Sequence, residues 1–169
     1  MTLPLILTAE MGRDDFAWLN SLRSSHYPAE RNHVPAHLTL FHQLPPSAEM
    51  EVCGFLPRLV DRAAPRAMIC GIFDLGSGTA FRIASDDLDD LREEIASHFH
   101  GLLSAQDSHG WIPHVTIQNK VPRKKAIELA RSLEANYVGR PLRIMGLTLH
   151  RYCGGPWEKI RSWPFRGAS

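Results

Sequence analysis

Pro35-Ala36-His37-Leu38-Thr39-Leu40 and Ile112-Pro113-His114-Val115-Thr116-Ile117 read alike: a proline, then His-x-Thr followed by an aliphatic residue. The two histidines lie 77 positions apart in a chain of 169 residues, close to half its length. Each segment is strand-like and is followed by a helix-like stretch, so a duplicated chain accounts for the echo. Side chains alternate faces along a strand. His37 and Thr39 therefore share one face while Leu38 and Leu40 turn to the core, and His114 with Thr116 separates from Val115 and Ile117 in the same way. Two polar pairs face the same way from two similar halves.

Working outward, Leu3–Thr8 is a short apolar strand, and Asp14 is placed to cap a helix carrying Phe16, Leu19 and Leu22 until Tyr27-Pro28 stops it. After Pro45-Pro46-Ser47 a helical apolar pattern runs through Val52, Phe55, Leu56 and Leu59, interrupted by Gly54 and Pro57. Ala67–Leu75 and Thr79–Ala84 read as strands joined through Gly76-Ser77-Gly78. Ser85 caps a helix to Leu103 with Leu88, Leu91, Ile95, Phe99 and Leu102 on one face. Trp111–Val121 reads as a strand, and Pro122 opens a helix through Ile127, Ala130, Leu133 and Tyr137 that Gly139 closes. Strands Leu142–Tyr152 and Trp157–Phe165 flank Gly154-Gly155-Pro156. No regular strand-helix-strand count or phosphate-loop glycine pattern runs through the chain, so the class is α+β rather than doubly wound α/β.

The composition is that of an ordinary globular chain, 44% hydrophobic and 22% charged, with a formal charge of +1 that excludes wrapping of long nucleic acid. The charge is uneven. Gln118–Ser169 holds 11 basic and 3 acidic residues, which reads either as solvated faces or as an electropositive rim for phosphate. Cys53, Cys70 and Cys153 are odd in number and widely spaced, so neither a disulfide framework nor a zinc site is indicated, and a reducing cytoplasmic setting is expected. The apolar run at Leu3–Leu7 is too short for a membrane span, and no basic segment precedes it.

Two histidines set on opposite sides of one phosphate suit in-line displacement at phosphorus. One acts as base behind the nucleophile and the other as acid behind the leaving oxygen; such help contributes about 10²–10⁴-fold. The Thr39 and Thr116 hydroxyls can donate to the non-bridging oxygens. This chemistry needs no metal and no cofactor. The paired motif, its placement in each half and the Gly154-Gly155-Pro156-Trp157 hairpin ending at Phe165 resemble the two-histidine (2H) phosphoesterase superfamily, in its LigT-like, 2′-5′ RNA ligase branch. The resemblance covers nearly the whole chain. It implies a single bilobal domain, with lobes near 1–84 and 85–169 and strands open to exchange between them, and antiparallel sheets around a central cleft. It also implies metal-independent hydrolysis or ligation of 2′-5′ or 2′,3′-cyclic phosphodiesters, with His37, Thr39, His114 and Thr116 as the site. By resemblance to the family's cyclic phosphodiesterases, His114 activates water and His37 protonates the departing ribose oxygen.

Other residues could complete such a site. Phe41 shares the face of His37 by simple alternation and His42 follows it, so either could line the cleft. Arg82 and Arg151, isolated in strand-like runs, could clamp a second phosphate, and Trp111, Tyr152 and Trp157 could stack on a base. His98 and His100 suit a helix C-terminus better than a metal, and Asp107-Ser108-His109 is sequence adjacency rather than a triad. The expected partner is a small nucleotide or RNA end, bound by a monomer with no membrane contact. A non-catalytic nucleotide or RNA-end binding protein using the same cleft, and a domain in which the repeat is coincidental, are the competing readings.

Overall fold

The computed structural model describes residues 3–168. Its strands are β1 (Leu5–Met11), β2 (Leu38–Leu44), β3 (Arg66–Asp74), β4 (Thr79–Ala84), β5 (His114–Gln118), β6 (Arg140–Tyr152) and β7 (Trp157–Pro164). Its helices are α1 (Arg13–His26), α2 (Glu49–Leu59), α3 (Asp86–His98), the single turn α4 (Ala105–Ser108) and α5 (Arg123–Ala135). The strands form one antiparallel sheet in the order β1-β2-β5-β4-β3-β6-β7, and a further β1–β6 ladder closes the first six into a barrel with β7 outside it. Strands from both chain halves interleave around this ring. Its ladder map is unchanged when β1, β2 and β3 are exchanged for β4, β5 and β6: β1–β2 becomes β4–β5, β1–β6 becomes β4–β3, and β2–β5 and β3–β6 map onto themselves.

Leu38, Leu40, Val115 and Ile117 are fully buried, as alternation requires, and join one core with Leu19 of α1, Val52, Leu56 and Leu59 of α2, and Leu88, Leu91 and Ile95 of α3. α3 starts where its sequence says: the Ser85 hydroxyl accepts from the Leu88 N–H at 3.0 Å, and three aspartates occupy the first turn. α2 forms despite Gly54 and Pro57, because both lie on its exposed side while the apolar stripe is buried. At α1 the working carboxylate is Asp15, not Asp14. Buried at the helix start, it accepts from the Arg140 guanidinium and the Arg143 backbone N–H, each at 2.8 Å, and so ties the helix to β6. The strand expected over Trp111–Val121 shortens to His114–Gln118, and α4 was not signalled by periodicity. No helix among the described residues is long and apolar enough to cross a membrane.

β2 departs from simple alternation. Its register against β1 steps from Thr8↔Thr39 to Leu7↔Phe41, leaving Leu40 as an extra residue. Leu40 and Phe41 consequently both face the core, and the next side chain on the His37 face is His42.

Candidate active site

A pocket of about 250 Å³ opens where β2 meets β5. His37 enters from just before β2, Thr39 and His42 from β2, His114 and Thr116 from β5, and Ile6, Leu75, Asn119 and Trp157 complete the wall. The two strands meet through Leu38↔Val115, the residue after each histidine. An antiparallel register through that pair sets His37 level with Thr116 and Thr39 level with His114, all on the face away from the core. The two motifs therefore meet about a local twofold, each histidine beside the other motif's threonine.

Both rings are held by the same device. His37 Nδ1–H donates to the Pro35 carbonyl at 2.8 Å, and His114 Nδ1–H donates to the Ile112 carbonyl at 2.7 Å. A carbonyl only accepts, so Nδ1 carries the proton and Nε2 is left to give or take one. The motif strands are anchored from behind by arginines of helices from the opposite half. Arg23 of α1 donates to the Thr116 carbonyl at 3.0 Å, and Arg92 of α3 donates to the Leu40 carbonyl at 2.9 Å. Trp111 adds a bond from its indole N–H to the Thr39 carbonyl at 3.1 Å.

The ring environments differ. Trp157 lies between His37 and His150, with centroid separations of 4.6 and 5.3 Å. Burial pushes His37 down to about 4; the bond to Pro35 works the other way, and charge on Arg23, His150 and His42 adds to the fall. His114 meets the edge of Phe73 at 5.1 Å, and burial lowers it too, against its bond to Ile112. His150, hydrogen-bonded to the Thr8 hydroxyl at 3.0 Å, is lowered to about 4 by burial and then by Lys159. A second cavity of about 590 Å³ shares His37 and Trp157 with the pocket and runs along β1 and β6 past Phe16, Val34, Met145 and Lys159.

His37, Thr39, His114 and Thr116 are thus gathered in one place. Phe41 is a correction: the extra residue in β2 turns it fully into the core, where the Arg92 guanidinium covers its ring at 4.6 Å. Arg151 lines neither cavity, because its guanidinium is taken by Glu49 at 2.7 Å and Glu158 at 3.0 Å. Tyr152 lies at the exposed end of β6, away from both cavities. Arg82 does not line the pocket, but it is the cross-strand partner of His114 and stands exposed on the same face. Sequence reasoning missed Arg23, Arg92 and the buried Asp107 against His42. Their roles depend on contacts between segments far apart in the chain. Among the described residues no group of three His, Cys, Asp or Glu side chains is placed to hold a metal.

A family profile described as the 2′-5′ RNA ligase superfamily matches residues 13–156, and the chain belongs to that superfamily. It is by family a phosphoesterase or RNA-ligase-like protein. Among solved structures it is similar to TT0787 of Thermus thermophilus, with a TM-score of 0.68 and 18% identity over 99% of this chain and 100% of that one. It is also similar to Escherichia coli LigT complexed with 3′-AMP, with a TM-score of 0.60 and 16% identity over 98% and 99% of the two chains. LigT complexed with ATP aligns at a TM-score of 0.57 and 15% identity over 98% and 99%. None of the curated protein sequences matches this chain.

Proposed function

We propose that this protein is a metal-independent phosphoesterase that hydrolyses, or reversibly forms, a 2′,3′-cyclic or 2′-5′ phosphodiester of a small nucleotide or RNA end. The observation that carries the reading is the exchange of partners across Leu38↔Val115, which gives one phosphate an Nε2 and a hydroxyl from each motif. His114 takes the proton of an attacking water, the water oxygen bonds to phosphorus, and the bond to the ribose oxygen breaks as His37 donates to it. Thr39 and Thr116 donate to the non-bridging oxygens.

His37 at about 4 is neutral near pH 7 in the free protein, yet an acid must arrive protonated. The substrate makes up the difference. One phosphate charge about 4 Å away at an effective dielectric of about 20 contributes about 4 kcal/mol, or about three pKa units. That returns a ring at about 4 to the neutral range. The cavity beside Trp157 is wide enough for a nucleoside, and LigT, solved with 3′-AMP and with ATP, supports a nucleotide ligand. Arg82, beside His114, is the residue we assign to a further phosphate of a longer substrate.

We further infer that the chain arose by duplication, its halves dividing at Gly76-Ser77-Gly78 rather than after Ala84, since the ladder map repeats from β4. It works as a monomer in the cytoplasm. The test is a panel of 2′,3′-cyclic nucleotides, ADP-ribose cyclic phosphate and 2′-5′ oligonucleotides, with products identified by chromatography, with and without a chelator. Turnover that survives chelation is expected. Loss on chelation, restored by a divalent ion, would replace this mechanism with a metal-assisted one, and binding without turnover across the panel would leave a nucleotide-binding protein.

A further inference from the structure

A phosphodiester carries a negative charge through the whole reaction, yet no lysine or arginine among the described residues lines the pocket. The acid–base pair holds one proton between its two rings, and that proton is consumed at the leaving group. A third imidazole stands beside them. His42 reaches the pocket because the bulge in β2 turns Phe41 away, and its ring is fixed through Nδ1–H to Asp107 Oδ1 at 3.2 Å. Its Nε2 makes no hydrogen bond among the described residues, and the side chain is 38% exposed on the pocket side.

Asp107 is built to stay charged. Its side chain is fully buried, its two oxygens accept the backbone N–H groups of His42 and Gln43, each at 2.9 Å, and α4 around it is capped by Ser104. Burial works against ionisation there, but the bonds from the His42 ring and the two backbone donors outweigh it and hold the carboxyl below its usual range. The ionisable groups facing His42 are Asp107 from α4, His37 from just before its own strand, His114 from β5, and Arg92 from α3, which donates to the Asp107 carbonyl at 2.9 Å. Asp107 is the one anion in this set, and it compensates a proton on His42.

We propose that His42, oriented and neutralised by Asp107, is the cationic anchor of the pocket: as imidazolium it donates Nε2–H to a non-bridging oxygen, binding the phosphate while His37 and His114 move protons. Asp107 is a positioning residue that acts through His42. The proposal rests on the phosphodiester reading above and deepens it, turning a two-histidine site into a three-histidine one.

The probe is sulfate, which carries the same charge from about pH 5.5 to about pH 8, so that any pH dependence of binding belongs to the protein. Affinity is read from histidine ring resonances by NMR, alongside KM and kcat on the best substrate of the panel. For the parent protein, sulfate binding should be tighter at the acid end. His42→Gln should weaken sulfate about 10- to 100-fold at about pH 5.5 and reduce the dependence, with KM raised more than kcat is lowered. Asp107→Asn should change affinity in the same direction and by less; if that variant does not fold, His42→Gln carries the test. His37→Gln should lose turnover and the share of the pH dependence that comes from its own ring, and keep the share that His42→Gln removes. Unchanged sulfate affinity and unchanged KM in His42→Gln, with turnover still dependent on His37 and His114, would overturn the anchor and leave the phosphoesterase intact. Absence of turnover on every substrate, with sulfate binding still lost in His42→Gln, would overturn the phosphoesterase reading and leave an anion site.

Discussion

The two His-x-Thr motifs share a strand register, an Nδ1 tether to the carbonyl two residues back and an arginine anchor from the opposite half, yet their rings sit in unlike surroundings. Among the described residues the ring contact of His114 is with the edge of Phe73, from β3 of the opposite half. His37 lies under Trp157, which comes from β7, the strand that has no counterpart in the ring's repeat. One added strand therefore makes two equivalent histidines inequivalent. Backbone repetition sets the symmetric part of the site, and the β6–β7 hairpin, by packing Trp157 on one ring alone, supplies an asymmetry that the repeat lacks.

The comparison breaks most directly by deleting each ring. His37→Ala and His114→Ala should each lower turnover of a cyclic nucleotide by about 10²–10⁴-fold with unchanged melting, since neither ring belongs to the buried core. On an aryl phosphodiester, whose leaving group needs little acid help, His37→Ala should recover much of its loss and His114→Ala should not. The reverse pattern would exchange the roles, and full activity in either variant would end the two-histidine mechanism. Thr39→Val and Thr116→Val, which keep strand shape, should each cost about 10- to 1000-fold in kcat. Unchanged kcat would put those hydroxyls outside the reaction.

These four residues were legible in the sequence because period-2 alternation and a repeated tetrapeptide are local signals. The helices at Arg13–His26 and Asp86–His98 were legible for the same reason. Phe41 was misread because a one-residue bulge depends on the facing strand, and it is this register that brings in His42. Asp107 looked like part of an idle Asp-Ser-His run; its partner lies 65 positions away, and no local pattern announces such a contact. Arg151 looked free until the fold brought Glu49 to it across 102 positions. Local periodicity gives faces, and tertiary contacts decide which charges on those faces remain available.

A smaller effect sharpens the asymmetry itself. Trp157→Ala lets water reach His37, which relieves the burial that is the largest cause of its low value. The acid-side limb of the kcat/KM profile, which reports the free protein, should then move to higher pH by about one unit, while Phe73→Ala should move it less. Equal shifts would show that the pair titrates as one unit whose ring environments do not distinguish its members.

The smallest effect is on stability, and it falls on the same side of the molecule. His37 and His150 both drop to about 4 in the folded chain, against about 6.5 for an unfolded histidine. Between those values the unfolded chain binds more protons than the folded one, so unfolding free energy rises with pH across the window. The stability is fully present above about 6.5 and drains away as the pH falls to about 4. Melting temperature should therefore fall on acidification through this range, beyond what the carboxylates cause below it. His150→Gln keeps a side chain able to hydrogen-bond the Thr8 hydroxyl but removes one of the two titrating rings. Its melting curve should lose part of the slope between about pH 6.5 and about pH 4, a difference of a few degrees for a chain of this length. His114→Gln should lose less of it, because no ring of the added strand lies over that histidine. Identical slopes in the two variants would mean that β7 does not set the two halves apart.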